Sequence, residues 1–378
     1  MLSLYKAQLS SDTLPIISEV FTSGAIAAGK YEQELISEIT SQLKCANVSI
    51  INNYSSAISM GLRVADINID DVVLCKSFSC LNTTSPVLAL GARIAWVDLE
   101  RNSTDICLAD LERKIRKYKP KVFLNYHISG YVDDLEAINE LCNRYNVRVI
   151  QDCNALIYSK DEHGYVCNLS DITVYSLYPN RLINSIDGGV LVFRKHTDLL
   201  RADKLKRLGI PPLGFRDSLG EIDPGCDIEE VGVNCTNSNV ANLLALYSLG
   251  SSQALREALS RNVKYLKNAF SNSDYIQVVR HKNFNNMELC WNFLILVDST
   301  IKRELIKLAK VENIELSTMH INNHLYSAFP EGISLENTNE FYSNVLAVPC
   351  GPWLSIEQVG FIATTLMQIL IKLDGKNV

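Results

Sequence analysis

The sequence predicts an α/β protein: a doubly wound, mainly parallel sheet covered by helices, followed by a smaller C-terminal α+β domain. Three observations carry this. Strand-like and helix-like segments alternate from about residue 45 to residue 245. The strand-like segments (VSII, VVLC, VFL, GVLVF) are continuous apolar runs, as expected where helices cover both faces of a mainly parallel sheet. The last third opens on one long helix, SQALREALSRNVKYLKNAF, and closes on another, IEQVGFIATTLMQILIKL, whose apolar spacing is amphipathic.

In order along the chain, a short helix is expected at Leu14–Phe21 and a second from Tyr31 to Leu43, with Leu35, Ile36, Ile39 and Leu43 on one face. Next come the strand NVSIIN, helix SSAISMGLRVA, strand DVVLCK, helix NTTSPVLALG and strand RIAWVD. LADLERKIRKY, KVFLNY, DLEAINELCNRYN, VRVIQDC, ITVYSLY and GGVLVFR continue the series. Beyond it, strands are expected around Tyr275–Val279 and Trp291–Val297, then the helix KRELIKLAKVEN. This gives an N-terminal arm (1–30), a large domain (31–249) and a small domain (250–378).

Composition narrows the function. Of the 378 residues 47% are hydrophobic and 21% charged, enough for a substantial core, and the net charge of -6 argues against nucleic acid or an anionic membrane as partner. No apolar run approaches the ~18 residues of a membrane span, and no secretory leader is expected at the start. The eleven cysteines form no CxxC and sit mostly in apolar stretches, so the reducing cytoplasm is the natural compartment. Gly24–Lys30 matches a phosphate-binding loop only superficially, because Tyr31 stands where a magnesium-binding hydroxyl is needed and no strand precedes it. His320 and His324 are four apart without further ligand-like residues, and no metal is expected.

Ligand sites in doubly wound sheets lie at the carboxyl ends of strands. Here those ends carry Asn53–Ser56, Lys76–Asn82, Asn125–Gly130, Asp152–Ala155 and Ser176–Asn184. The first, NYSSAI, opens a helix, where Ser55 either caps the helix or helps its N–H groups hold an anion. Asp152 ends an apolar strand and needs partners for its charge. A lone buried histidine, as His127 is expected to be, is by default structural.

In order and spacing these segments resemble the DegT/StrS family of fold-type-I pyridoxal phosphate (PLP) enzymes, which aminate keto groups on nucleotide-linked sugars. The resemblance runs from SGAIAAGKYEQEL to VPCGPWLSIEQV, nearly the whole chain, and implies a PLP-transferase-like fold with a seven-stranded-type sheet. Carried over residue by residue, it implies phosphate contacts from Ser55, with Tyr54 in place of the family's glycine. It implies a ring-facing position at Cys80, where the family has an aromatic, and a partner for the pyridine nitrogen in Asp152. Ala155 stands where a glutamine or histidine packs on the ring. Ser176 matches the family's serine, and His127 and Asn180 fall where substrate contacts lie. Asn234 matches an asparagine that reaches the neighbouring subunit's cofactor, which implies a homodimer, while Thr236 replaces an arginine.

One position departs most. The family's S-F-x-P-x-K is here Ser176-Leu-Tyr-Pro-Asn-Arg181, with Asp187-Gly188-Gly189 fixing the register on the other side. Arginine stays protonated and forms no Schiff base. The expected protein is therefore a member of amino-sugar biosynthesis that does not transaminate by the usual route, with PLP or its amine form (PMP) non-covalent if bound at all. Two alternatives stand: an enzyme using non-covalently held PLP or PMP on a keto sugar, as an aminotransferase or a dehydratase, and a structural or regulatory subunit of an active paralogue.

Overall fold

The computed structural model describes residues 1–8, 13–211, 213–271, 273–283, 287–331 and 335–374. The chain runs α1 (Thr13–Ser23), α2 (Tyr31–Leu43), β1 (Val48–Ile51), α3 (Tyr54–Val64), β2 (Val72–Lys76), α4 (Leu81–Ala89) and β3 (Arg93–Val97). It continues through α5 (Leu108–Tyr118), β4 (Val122–Tyr126), α6 (Leu135–Arg144) and β5 (Arg148–Asp152). A two-stranded hairpin, β6 (Lys160–Asp161) and β7 (Gly164–Tyr165), leads through α7 (Val166–Leu169) to β8 (Ile172–Ser176) and β9 (Gly189–Phe193). Then follow α8 (His196–Leu205), α9 (Asn239–Gly250), α10 (Ser252–Phe270), β10 (Gln277–Val278), β11 (Phe293–Leu296), α11 (Ser299–Val311), α12 (Glu336–Asn344), β12 (Val345–Val348) and α13 (Ile356–Asp374).

Seven strands form one sheet in the order β1-β9-β8-β5-β4-β2-β3. Six point the same way, and only β9 runs antiparallel to its neighbours β1 and β8. The mainly parallel sheet expected from the apolar runs is thus present. Val48–Ile51, Val122–Tyr126, Ile172–Ser176 and Gly189–Phe193 are buried throughout, which is why those stretches do not alternate. The reversal at β9 goes with its link to β8, residues 177–188, which holds no helix to make a crossover. A parallel return needs a crossover of roughly a dozen residues or more, usually helical.

Helix α3 lies close against β9: a Cβ on Gly189 would come within 2.6 Å of the Ala57 Cβ. The smaller sheet, β10-β11-β12, is antiparallel. Its apolar residues continue the core of the large sheet, with Phe293, Ile295 and Leu346 in the same buried cluster as Tyr126 and Tyr175. The proposed division at 249/250 falls at the last residue of α9, just ahead of α10. The arm reaches across to the small sheet's side, where Leu2 pairs with Ile314, Leu4 is buried, and Trp353 Nε1 donates to the Ser3 carbonyl at 3.1 Å. Among the described residues one helix, α13, is long and apolar enough to cross a membrane; its buried face, including Val359, Ile362 and Leu366, belongs to the main core.

Candidate functional site

Three parallel strands end beside one another in β4, β5 and β2, and β8 ends on the other side of β5. Their carboxyl ends and the following helices bring several of the expected residues together. Asp152, the last residue of β5, is fully buried. Thr83, in the first turn of α4, donates its hydroxyl to Asp152 Oδ2 at 2.5 Å, and the Asn154 N–H donates to Oδ1 at 2.9 Å. Burial pushes the Asp152 carboxyl above the usual carboxylate range, against the pull of Thr83, Tyr54, the Asn154 N–H and His127. Thr83 was not among the sequence candidates. It sits inside an unremarkable helical stretch, and only the demand of a buried carboxylate for donors points to it.

Tyr54 begins α3 and is buried beside Asp152; burial, then the carboxylate, hold its phenol well above the ordinary value. The cap of α3 is Asn53, whose side chain accepts from the Ser56 N–H at 2.8 Å. The capping role considered for Ser55 thus belongs to Asn53. Ser55 lies within the first turn, its hydroxyl donating to Asn82 Oδ1 at 3.2 Å, near N–H groups that a helix leaves unpaired. Cys80 precedes α4; burial raises its thiol, Asp152 adds to the rise, and nearby N–H groups and Arg181 oppose it. Ala155 is buried just past Asp152, and Ser176 ends β8, its hydroxyl accepting from the Tyr178 N–H at 3.2 Å.

Arg181 lies in the loop after β8. Its Nη1 donates to Asn180 Oδ1 at 3.0 Å and its Nη2 to Asn154 Oδ1 at 3.2 Å. Its Cζ stands 5.7 Å from the centre of the Trp291 indole. His320, within the field of Arg181, has its Nε2 3.0 Å from the Tyr126 hydroxyl and its ring packed edge-on against Phe78 and Tyr126. Burial, and then the positive charge of Arg181, lower the His320 imidazole to about 4. Burial likewise keeps the Tyr126 phenol well above its ordinary value. Nothing in MHINNH marks His320 as facing this cluster. His324 bonds Ser77 Oγ through Nδ1 at 2.7 Å.

His127 is fully buried behind the site. Its Nδ1 is 3.2 Å from Asp133 Oδ2, and its Nε2 has no partner among the described residues. Lys76 Nζ bonds both Asp133 oxygens, at 2.7 and 2.9 Å, and the Thr104 carbonyl at 3.1 Å. Burial opposes the Asp133 charge, yet Lys76 and His127 outweigh it and hold the carboxyl well below the usual range. Nearby, Gly130 has φ +87 and a Cβ there would meet Leu156 at 2.6 Å, so the turn after β4 takes only glycine without strain.

Among the described residues Asn234 makes no hydrogen bond into this cluster. It accepts from the Thr236 hydroxyl at 3.1 Å and borders a groove of about 580 Å³ with Ala27, Ala28, Gly29, Glu32 and Lys206.

Residues 8–367 match the model of the DegT/DnrJ/EryC1/StrS aminotransferase family. The chain belongs to that family. Family members are PLP-dependent, and solved neighbours include PLP and PMP forms. GDP-perosamine synthase of Vibrio cholerae is 24% identical over 211 residues, a match spanning 56% of this chain and only 57% of that relative. The UDP-4-amino-4,6-dideoxy-N-acetyl-beta-L-altrosamine transaminase of Campylobacter jejuni (strain 81-176) is 20% identical, with 98% of both chains covered. The aminotransferase TlmJ of Streptoalloteichus hindustanus superposes with a TM-score of 0.88 at 19% identity, over 99% of this chain and all of that one. At that identity the likeness is one of fold, and it agrees with the fold-type-I architecture of the large sheet.

Proposed function

We propose that this chain serves the biosynthesis of nucleotide-linked amino sugars without transaminating through a Schiff base. One observation carries the reading: Arg181, at the position matching the family's lysine, is held by Asn154 and Asn180 at the strand-end cluster. A guanidinium with a pKa above about 12 neither forms an imine nor passes a proton readily. Among the described residues, the lysines nearest the cluster in sequence or space are engaged or placed elsewhere. Lys76 is committed to Asp133, Lys160 pairs with Glu288 at 2.8 Å on the surface, and Lys195 is exposed ahead of α8. The names of the relatives from V. cholerae and C. jejuni support nucleotide sugars as the substrate class.

The residues fit PLP in part. Asp152 suits a protonated ring nitrogen, and Ser55 with the α3 N-terminus suits a phosphate. Covalent attachment does not fit, and Cys80 offers no ring to stack. PLP or PMP, where bound, is therefore held non-covalently. The buried, donor-supplied Asp152 favours a second reading, an enzyme that acts on a keto sugar with such a cofactor. The groove at Asn234 is the surface through which a second copy would complete the site in a homodimer, and the cytoplasm is the proposed compartment. The test is to incubate the chain with PLP, glutamate and a 4-keto nucleotide sugar. No amino sugar is expected, and turnover would overturn the reading.

A further inference from the structure

We infer that Arg181 anchors a carboxylate on the ligand of this site. The inference rests on the proposed function, since it requires a guanidinium not engaged in cofactor chemistry. Arg181 spends one donor on Asn180 Oδ1 and one on Asn154 Oδ1, both neutral amides. Its Nε–H is buried and meets no acceptor among the described residues. No carboxylate pairs with it among those residues either. The indole of Trp291 lies against the guanidinium, as expected for a cation stacked on an aromatic face. A part-buried charge without a counter-ion is costly, and the natural compensation is an anion supplied from outside.

The surroundings select the kind of anion. His320 is neutral, with its imidazole lowered to about 4, and the Tyr126 phenol and Cys80 thiol both stay protonated at neutral pH. Asp152 is an acidic group of the cluster whose field reaches Cys80 as that of Arg181 does, and the Tyr5 phenol, which Arg181 also reaches, is kept raised by burial. A planar monoanion balances the one guanidinium and fits its fork of donors. A phosphate dianion would leave excess negative charge next to Asp152. The ligand thus carries a carboxylate, either on the sugar of a nucleotide-linked uronic acid or on a free dicarboxylic acid.

The test is titration calorimetry on the full chain with UDP-glucuronate, UDP-glucose, glutarate, glutaramide and inorganic phosphate. If the carboxylate is on the sugar, UDP-glucuronate binds about tenfold or more tighter than UDP-glucose, and Arg181→Gln brings the two together. If it belongs to a free acid, glutarate binds, glutaramide does not, and the two nucleotide sugars are alike. Nuclear magnetic resonance of His320 keeps the test independent of how the variant folds: a carboxylate that neutralises Arg181 raises the imidazole value in the wild-type chain. The inference is overturned if neither acid outbinds its neutral analogue, if phosphate alone binds, or if Arg181→Gln, folded by its melting curve, binds the acid equally well. Turnover of a keto sugar with glutamate would instead overturn the proposed function, which calorimetry without PLP does not probe.

Discussion

The Arg181 guanidinium donates to the side-chain oxygen of Asn154 at 3.2 Å, two residues past the buried Asp152. The same asparagine donates its backbone N–H to Asp152 Oδ1 at 2.9 Å. One residue therefore connects the cation at the β8 end to the anion at the β5 end, and a change at either is felt across the cluster.

His320 reports on the cation. Burial first and Arg181 second lower its imidazole to about 4, against an ordinary value near ~6.5. Arg181→Gln removes the second cause and leaves the first. The imidazole value then rises but stays below the ordinary one. A magnetic-resonance pH titration of the His320 ring measures this, and an unchanged midpoint would mean that Arg181 points elsewhere.

Asp152 gives the pH dependence a definite sign. Burial raises its folded-state value, so the native chain holds the proton more tightly than the unfolded chain. Its contribution to stability is full below the unfolded value near ~3.9 and is lost as pH rises through the folded one. Asp152→Asn keeps an acceptor for the Asn154 N–H and removes the titration. The variant should gain on the wild type as pH rises above about 4, followed by urea unfolding across that range. A gap independent of pH would contradict this. At neutral pH, Thr83→Val leaves a buried acceptor short of a donor and should cost about 1–3 kcal/mol.

Lys76 and Asp133 form a fully buried ion pair at 2.7 Å. Lys76→Met strands the carboxylate and should cost about 3–5 kcal/mol, whereas Lys76→Met with Asp133→Leu should recover much of it. Asp133 is held below its ordinary value, so its contribution is present above the unfolded value and lost as pH falls. Denaturant unfolding of the single and double variants checks both. Equal losses in the two would show that packing, not the charge, sets the cost.

The large sheet was legible because strands covered on both faces must be apolar throughout, and VSII, VFLN and GVLVF say so directly. The reversal of β9 was legible in principle, from a link with no helix to make a crossover, but an apolar run carries no direction. β12 escaped notice because it is four residues long and follows α12, whose buried residues are Thr338 and Phe341 alone. Among the site residues, Asp152, Cys80 and Arg181 were visible as strand-end side chains. Thr83 and His320 were not, since each acts through contacts with residues far away in sequence, Asp152 for one and Tyr126 and Phe78 for the other.

The central claim is that no lysine of this chain forms an imine with the family's cofactor. Mass spectrometry of the chain after incubation with PLP and reduction with borohydride tests it most directly. The account predicts no lysine carrying a phosphopyridoxyl group in one-to-one yield, and the appearance of such a site in Arg181→Lys. A single lysine of the wild-type chain modified stoichiometrically would contradict it.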